Sequence, residues 1–168
     1  MKNIFKIKKN LNYHNKTGFT LIEVLIACVI ISTTTFALMS ATSKGIELST
    51  RSLRQVQANM LMEEGVEAVK SIRDNNWTTV SSLSLNTNYY LSFNANTWTL
   101  STTIIPPQDG IFNRKIVFYQ VYRDSNDDIA SSGTIDAGIK MVNVTVSWPS
   151  HDGVTSKNIT FYLANIFN

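Results

Sequence analysis

The chain reads as an α+β protein, with one long N-terminal helix, half of it transmembrane, packed against an antiparallel β-sheet. Three observations predict this. A lysine-rich start leads through Glu23 into about twenty uncharged residues, the length that crosses a bilayer core as a helix. Helix-compatible sequence then continues to about Arg73, with no proline before Pro106. From Asn88 on, β-branched and aromatic residues recur between turn signals, several with period two. One helix followed by consecutive strands is expected to fold as an antiparallel meander on that helix.

The first stretch, Met1 to Gly18, is rich in Asn and Lys and holds no acid. Its lysines are Lys2, Lys6, Lys8, Lys9 and Lys16, and His14 also falls here. The whole chain carries a formal charge of +3 and a pI near 9.0. Without those five lysines, ten basic residues face twelve acidic ones, a net charge of −2. The basic balance therefore describes this stretch and gives no argument for a nucleic-acid surface. By the positive-inside rule it places the N-terminus in the cytoplasm and the C-terminal part outside.

The apolar run to Ala41 contains one carboxylate, Glu23, just inside its start. A carboxylate deep in a membrane segment costs roughly 2.5–3.5 kcal/mol even on insertion scales, so a partner and a role are expected. A secretory signal would place its small residue after the apolar core, whereas Gly18 precedes it. A plain anchor fits the length and the basic flank and leaves Glu23 unexplained. Cys28 is the single cysteine; it reads as a small apolar filler, so the outer domain is held by packing without disulfides.

Phe19 to about Arg73 reads as one helix. Its mildest point is Ser32-Thr33-Thr34-Thr35, where β-branched residues can bond back to carbonyls one turn earlier. This cluster is either a weak point that opens on assembly or a tolerated polar patch. From Lys44 the pattern turns amphipathic. Leu61, Gly65, Ala68 and Ile72 share a face flanked by Ala58 and Val69, while Glu63, Glu64, Glu67 and Lys70 fall elsewhere. Gly65 inside a helix costs about 1 kcal/mol against Ala, which close approach of a sheet would explain. Arg73-Asp74-Asn75-Asn76 ends the helix.

Strands are expected over Asn88–Phe93, Trp98–Ile104, Arg114–Arg123, Ile139–Trp148 and Val154–Asn165. Asn94-Ala95-Asn96 and Pro106-Pro107-Gln108-Asp109-Gly110 separate the first three, and His151-Asp152-Gly153 marks a hairpin. Arg114–Arg123 is apolar on both faces and so central. In Ile139–Trp148, Val142, Val144, Val146 and Trp148 alternate with Asn143, Thr145 and Ser147, which predicts a half-buried strand.

The sequence shows no catalytic set. Beyond the leader His151 is the one histidine, beside a turn glycine, and reads as a solvated turn residue. No phosphate loop, Cys pair or His–carboxylate helix spacing occurs. Asp124, Asn126 and Asp128 offer oxygen ligands at alternate positions, as a calcium loop opens. Ile129 and Ile135 then stand where such a loop needs its glycine and closing acid, so a solvated acidic loop is the competing reading. Arg114, Lys115, Arg123, Lys140 and Lys157 lack interleaved aromatics and read as the wet edge of a sheet; DNA is not an expected partner.

Gly18-Phe19-Thr20-Leu21-Ile22-Glu23-Val24-Leu25-Ile26 resembles the type IV prepilin signal, shared by pilins and type II secretion pseudopilins, over Lys16 to about Ala41. The resemblance implies cleavage between Gly18 and Phe19 by a prepilin peptidase on the cytoplasmic face and N-methylation of Phe19. It also implies pairing of Glu23 with the terminal amine of a neighbouring subunit during filament assembly. Removing one partner of such a buried pair strands the other, so Glu23 would set register. Many pilins carry a Gly or Pro breaker near the depth of the Thr cluster; this chain has neither. The acidic helix running into Arg73-Asp74-Asn75-Asn76-Trp77, and the ending Val144-Thr145-Val146-Ser147-Trp148 with Phe161-Tyr162-Leu163-Ala164-Asn165, are similar to PilV-like minor pilins. Some pseudopilins bind calcium in their sheet domain, which keeps the Asp124 loop a candidate.

The expected organisation is a leader over 1–18, an assembly helix over 19–42, its amphipathic continuation over 43–74 and a β-sheet domain over 75–168. The expected function is a minor type IV pilin-like subunit with pilin subunits, the processing enzymes, the assembly machinery and the membrane as partners. It would sit in the inner membrane and then in an extracellular pilus. The alternatives are a type II secretion pseudopilin or a membrane-tethered binding module that never polymerises.

Overall fold

The structure is a computed structural model that describes residues 18–151 and 153–166. The leader lysines and His14 lie outside the described residues, Gly18 being its first described position. The chain divides into two units, Met1–Leu48 and Ser49–Asn168.

Helix α1 runs over Leu21–Asn75 and contributes to both. In the first unit it is uninterrupted. The hydroxyls of Ser32 and Thr35 donate to Cys28 O and Ile31 O, each at 2.7 Å, and Thr33 and Thr34 donate to carbonyls one turn back. These bonds satisfy the polar groups inside an apolar run without opening the helix.

In the second unit α1 buries Ala58, Met62, Gly65, Ala68, Val69 and Ile72. The sequence reading put Leu61 on this face; Met62 takes the place and Leu61 is half-buried. Steps of four, three, four and three from Ala58 to Ile72 keep one seam toward the sheet, and that seam passes through residue 62. After Asn75 a short helix absent from the sequence reading, α2 (Trp77–Ser81), begins. The Asn76 side chain caps it, accepting from the Thr78 N–H at 2.8 Å. Its Val80 is fully buried.

Six strands follow: β1 (Asn88–Asn94), β2 (Thr97–Ser101), β3 (Asn113–Arg123), β4 (Ile129–Ala130), β5 (Thr134–Ser150) and β6 (Gly153–Ala164). All pair antiparallel in the order β2-β1-β3-β5-β6, with β4 beside the end of β3. The central position of β3 is as its sequence predicts. The simple meander is not, because β1 lies between β2 and β3. Strand β1 sends Tyr89 and Leu91 into the core, whereas β2 has no fully buried residue and serves as the edge. Strand β2 also stops at Ser101, short of the expected Ile104, which stays exposed. Pro106 and Pro107, which cannot donate to a ladder, follow.

Strand β5 starts five residues earlier than expected. Its register on β3 passes from Gln120↔Lys140 to Val121↔Asp136, so Ala137, Gly138 and Ile139 bulge out of that ladder. Gly133, just before β5, has φ +145, and a Cβ there would sit 2.1 Å from Arg123 O. Only glycine fits. Ser150 pairs with Gly153 across the expected hairpin. Ile116, Phe118, Val142, Val144, Val146 and Leu163 form the sheet side of the core.

Candidate functional site

The start of α1 gathers the residues singled out in the sequence. Gly18 and Phe19 precede the helix, in exposed non-helical backbone. A Cβ built on Gly18 meets nothing within 4 Å, so the chain's own packing does not require a glycine there. Thr20 is the cap. Its carbonyl accepts from the N–H groups of Glu23 at 3.1 Å and Val24 at 3.2 Å, and its hydroxyl accepts from Glu23 N–H at 3.4 Å. Thr20-x-x-Glu23 is thus a capping-box sequence, a local signal that the reading of Glu23 overlooked. Glu23 lies in the first turn, where the helix dipole favours a carboxylate.

The helix beyond is long and apolar enough to cross a membrane, and none of its apolar window is buried. Phe19, Leu21 and Ile31 are exposed, as is Cys28. A surface this apolar needs lipid or protein to cover it.

The five cations once grouped as a possible patch separate. Arg114 and Lys140 are buried rather than at a wet edge. Arg114 projects toward α1, in phase with Ile116 and Phe118, a pattern the sequence already contains. Its Nη1 donates to Leu61 O at 2.9 Å and pairs with Glu64 at 3.1 Å, and its guanidinium stands 5.7 Å from the Trp98 ring centroid. Lys157 donates to Asn59 on the helix, while Lys115 is exposed on the opposite face of the sheet.

Arg123 Nε donates to Asp136 Oδ2 at 2.6 Å. That bond holds the Asp136 carboxyl below the usual carboxylate range; partial desolvation opposes it and the Gly138 N–H adds to it. Asp136 in turn raises the Arg123 guanidinium. The Asp124 loop closes on itself. Asp124 Oδ1 accepts from the Asn126 and Asp128 N–H groups at 2.8 and 3.0 Å, and Asp127 faces Arg123. Among the described residues no group of three or more His, Cys, Asp or Glu side chains stands together as a metal ion could use. His151 is exposed beside the hairpin.

Residues 13–39 match the prokaryotic N-terminal methylation motif. The chain carries a type IV prepilin-like leader. The motif supports a type IV pilin- or pseudopilin-like precursor, and suggests a structural subunit rather than an enzyme. It implies processing by a prepilin peptidase and assembly with pilin subunits and machinery, and together with the apolar helix it fits a membrane anchor. No curated protein and no solved structure matches the chain.

Proposed function

We propose that this chain is a minor type IV pilin-like subunit. Prepilin peptidase cleaves Gly18–Phe19, Phe19 is methylated, and Glu23 pairs with the Phe19 amine of a neighbouring subunit. The apolar stripes drive packing in the filament and Glu23 penalises a subunit at the wrong height. The observation that carries the reading is the exposed Gly18-to-Glu23 signal at the start of α1, whose apolar span is nowhere buried. Gly18 has no packing reason to be glycine, which fits recognition by an external enzyme.

The test is the mass of the N-terminal peptide from protein co-expressed with a prepilin peptidase, beside Gly18→Ala. Wild type starting at Phe19, methylated where the methyltransferase is present, with the variant left whole, supports the reading. Wild type that keeps Met1–Gly18, or is cut after Ala41, overturns it and leaves a tethered module or a secreted protein.

A further inference from the structure

The Gly18–Phe19 peptide bond lies just ahead of α1, which begins at Leu21. Both residues are exposed, Phe19 at 84%. Thr20 alone separates Phe19 from the helix. Its carbonyl accepts from the Val24 N–H at 3.2 Å, which opens the α-helical ladder. The same carbonyl accepts from the Glu23 N–H at 3.1 Å, and the Thr20 hydroxyl stands 3.4 Å from that nitrogen. Thr20 has the position and the bonding of an N-cap.

The Glu23 N–H decides where the helix starts. Extending α1 by one residue toward the N-terminus needs that N–H for the Phe19 carbonyl. A second residue of extension needs the Ile22 N–H for the Gly18 carbonyl. Thr20 holds the first of these N–H groups and so blocks both steps. Without the hydroxyl, the helix end loses a partner for one of its orphan donors. Beside an apolar run bound for a membrane, adding a turn satisfies such donors better than fraying does. The next capping-type residue toward the N-terminus is Thr17. A helix recapped there would take Gly18 and Phe19 into its first turn.

Hydrolysis adds one water across the Gly18–Phe19 amide and leaves a Gly18 carboxylate and a Phe19 amine. The attacked atom is the Gly18 carbonyl carbon, so a peptidase needs that carbonyl in exposed, non-helical backbone. We propose that Thr20 is a positioning residue for leader removal. Its cap ends the helix just past Phe19 and keeps the Gly18 carbonyl free for the peptidase. This rests on the cleavage proposed above and adds the residue that presents the bond.

The test is the initial rate of leader loss from the full chain with purified prepilin peptidase, followed by mass. Wild type is compared with Thr20→Ser, Thr20→Asn, Thr20→Ala and Thr20→Val. Ser and Asn are good caps; Ala and Val are not, and Val keeps the shape of threonine. Ser and Asn should stay within about twofold of wild type, while Ala and Val lose about fivefold in kcat/KM. The loss should lie in KM, because a helical fraction lowers the competent population and leaves bound substrate to react as before. Hydrogen exchange of the Leu21 and Ile22 amides should slow in Ala and Val, since a recapped helix gives both a carbonyl partner. Equal kinetics across the series overturns the proposal and leaves the Gly18–Phe19 cut standing. So does a series in which Ser is processed and Asn is not, with the loss in kcat, which marks direct contact of the hydroxyl with the peptidase. Wild type that is not cut at Gly18–Phe19 overturns both this proposal and the reading beneath it.

Discussion

Arg114 of the central strand donates to the carbonyl of Leu61 on the helix, 2.9 Å away and 53 residues earlier in the chain. The same guanidinium pairs with Glu64 and lies against Trp98, so one side chain ties α1, β2 and β3 together. Lysine has neither the planar fork nor the stacking surface for this. Arg114→Lys is expected to cost about 1–2 kcal/mol, read as a lower denaturation midpoint with an unchanged slope.

Gly65 faces the same place. A Cβ there would come within 2.9 Å of Val144 Cγ1 and 3.1 Å of Arg114 Cδ. Gly65→Ala gains about 1 kcal/mol of helix propensity and loses about 1–3 kcal/mol to overpacking. Net destabilisation is the expected outcome in thermal unfolding. Pairing Gly65→Ala with Arg114→Ala, which removes the obstructing Cδ, should give a non-additive double-mutant cycle.

Glu23 belongs to the capping-box pattern with Thr20 and carries the charge that the proposed function uses, and substitution can separate the two. Glu23→Gln keeps the capping-box pattern with Thr20 and removes the charge. Helix content should be unchanged by circular dichroism, while recovery of the subunit in sheared filaments falls. Equal recovery of Glu23→Gln and wild type would mean the charge has no part in assembly.

The Arg123–Asp136 bond makes stability depend on acid. Asp136 is held below its ordinary value near 3.8, so its contribution is complete above that value and is lost as pH falls through the lower folded one. Asp136→Asn should lower Tm by only about 1–3 °C at pH 7, because water screens a partly exposed pair. The gap between variant and wild type should close below pH 3.8.

The turn between β1 and β2 holds Ala95 at φ +48 and Asn96 at φ +61. Two left-handed residues in a two-residue hairpin favour Asn-Gly, and alanine is strained there. Ala95→Asn should stabilise the protein by about 0.5–1 kcal/mol, seen as a raised Tm.

What the sequence determined by itself is what local pattern encodes. Charge, length and hydropathy delimited the apolar helix, and period-two alternation named Val142, Val144, Val146 and Trp148 as a buried row. The stretch from Gly18 to Glu23 pointed to its leader type because the methylation motif it belongs to is made of contiguous residues. The Thr20–Glu23 cap is equally local, because a capping box lies within four consecutive residues.

Tertiary structure decided what depends on partners distant in sequence. The place of β1 between β2 and β3 follows from which strand must bury both Tyr89 and Leu91, and no single strand's alternation states that. The burial of Arg114 on β3 required Leu61 and Glu64 of α1 and Trp98 of β2 to converge on it.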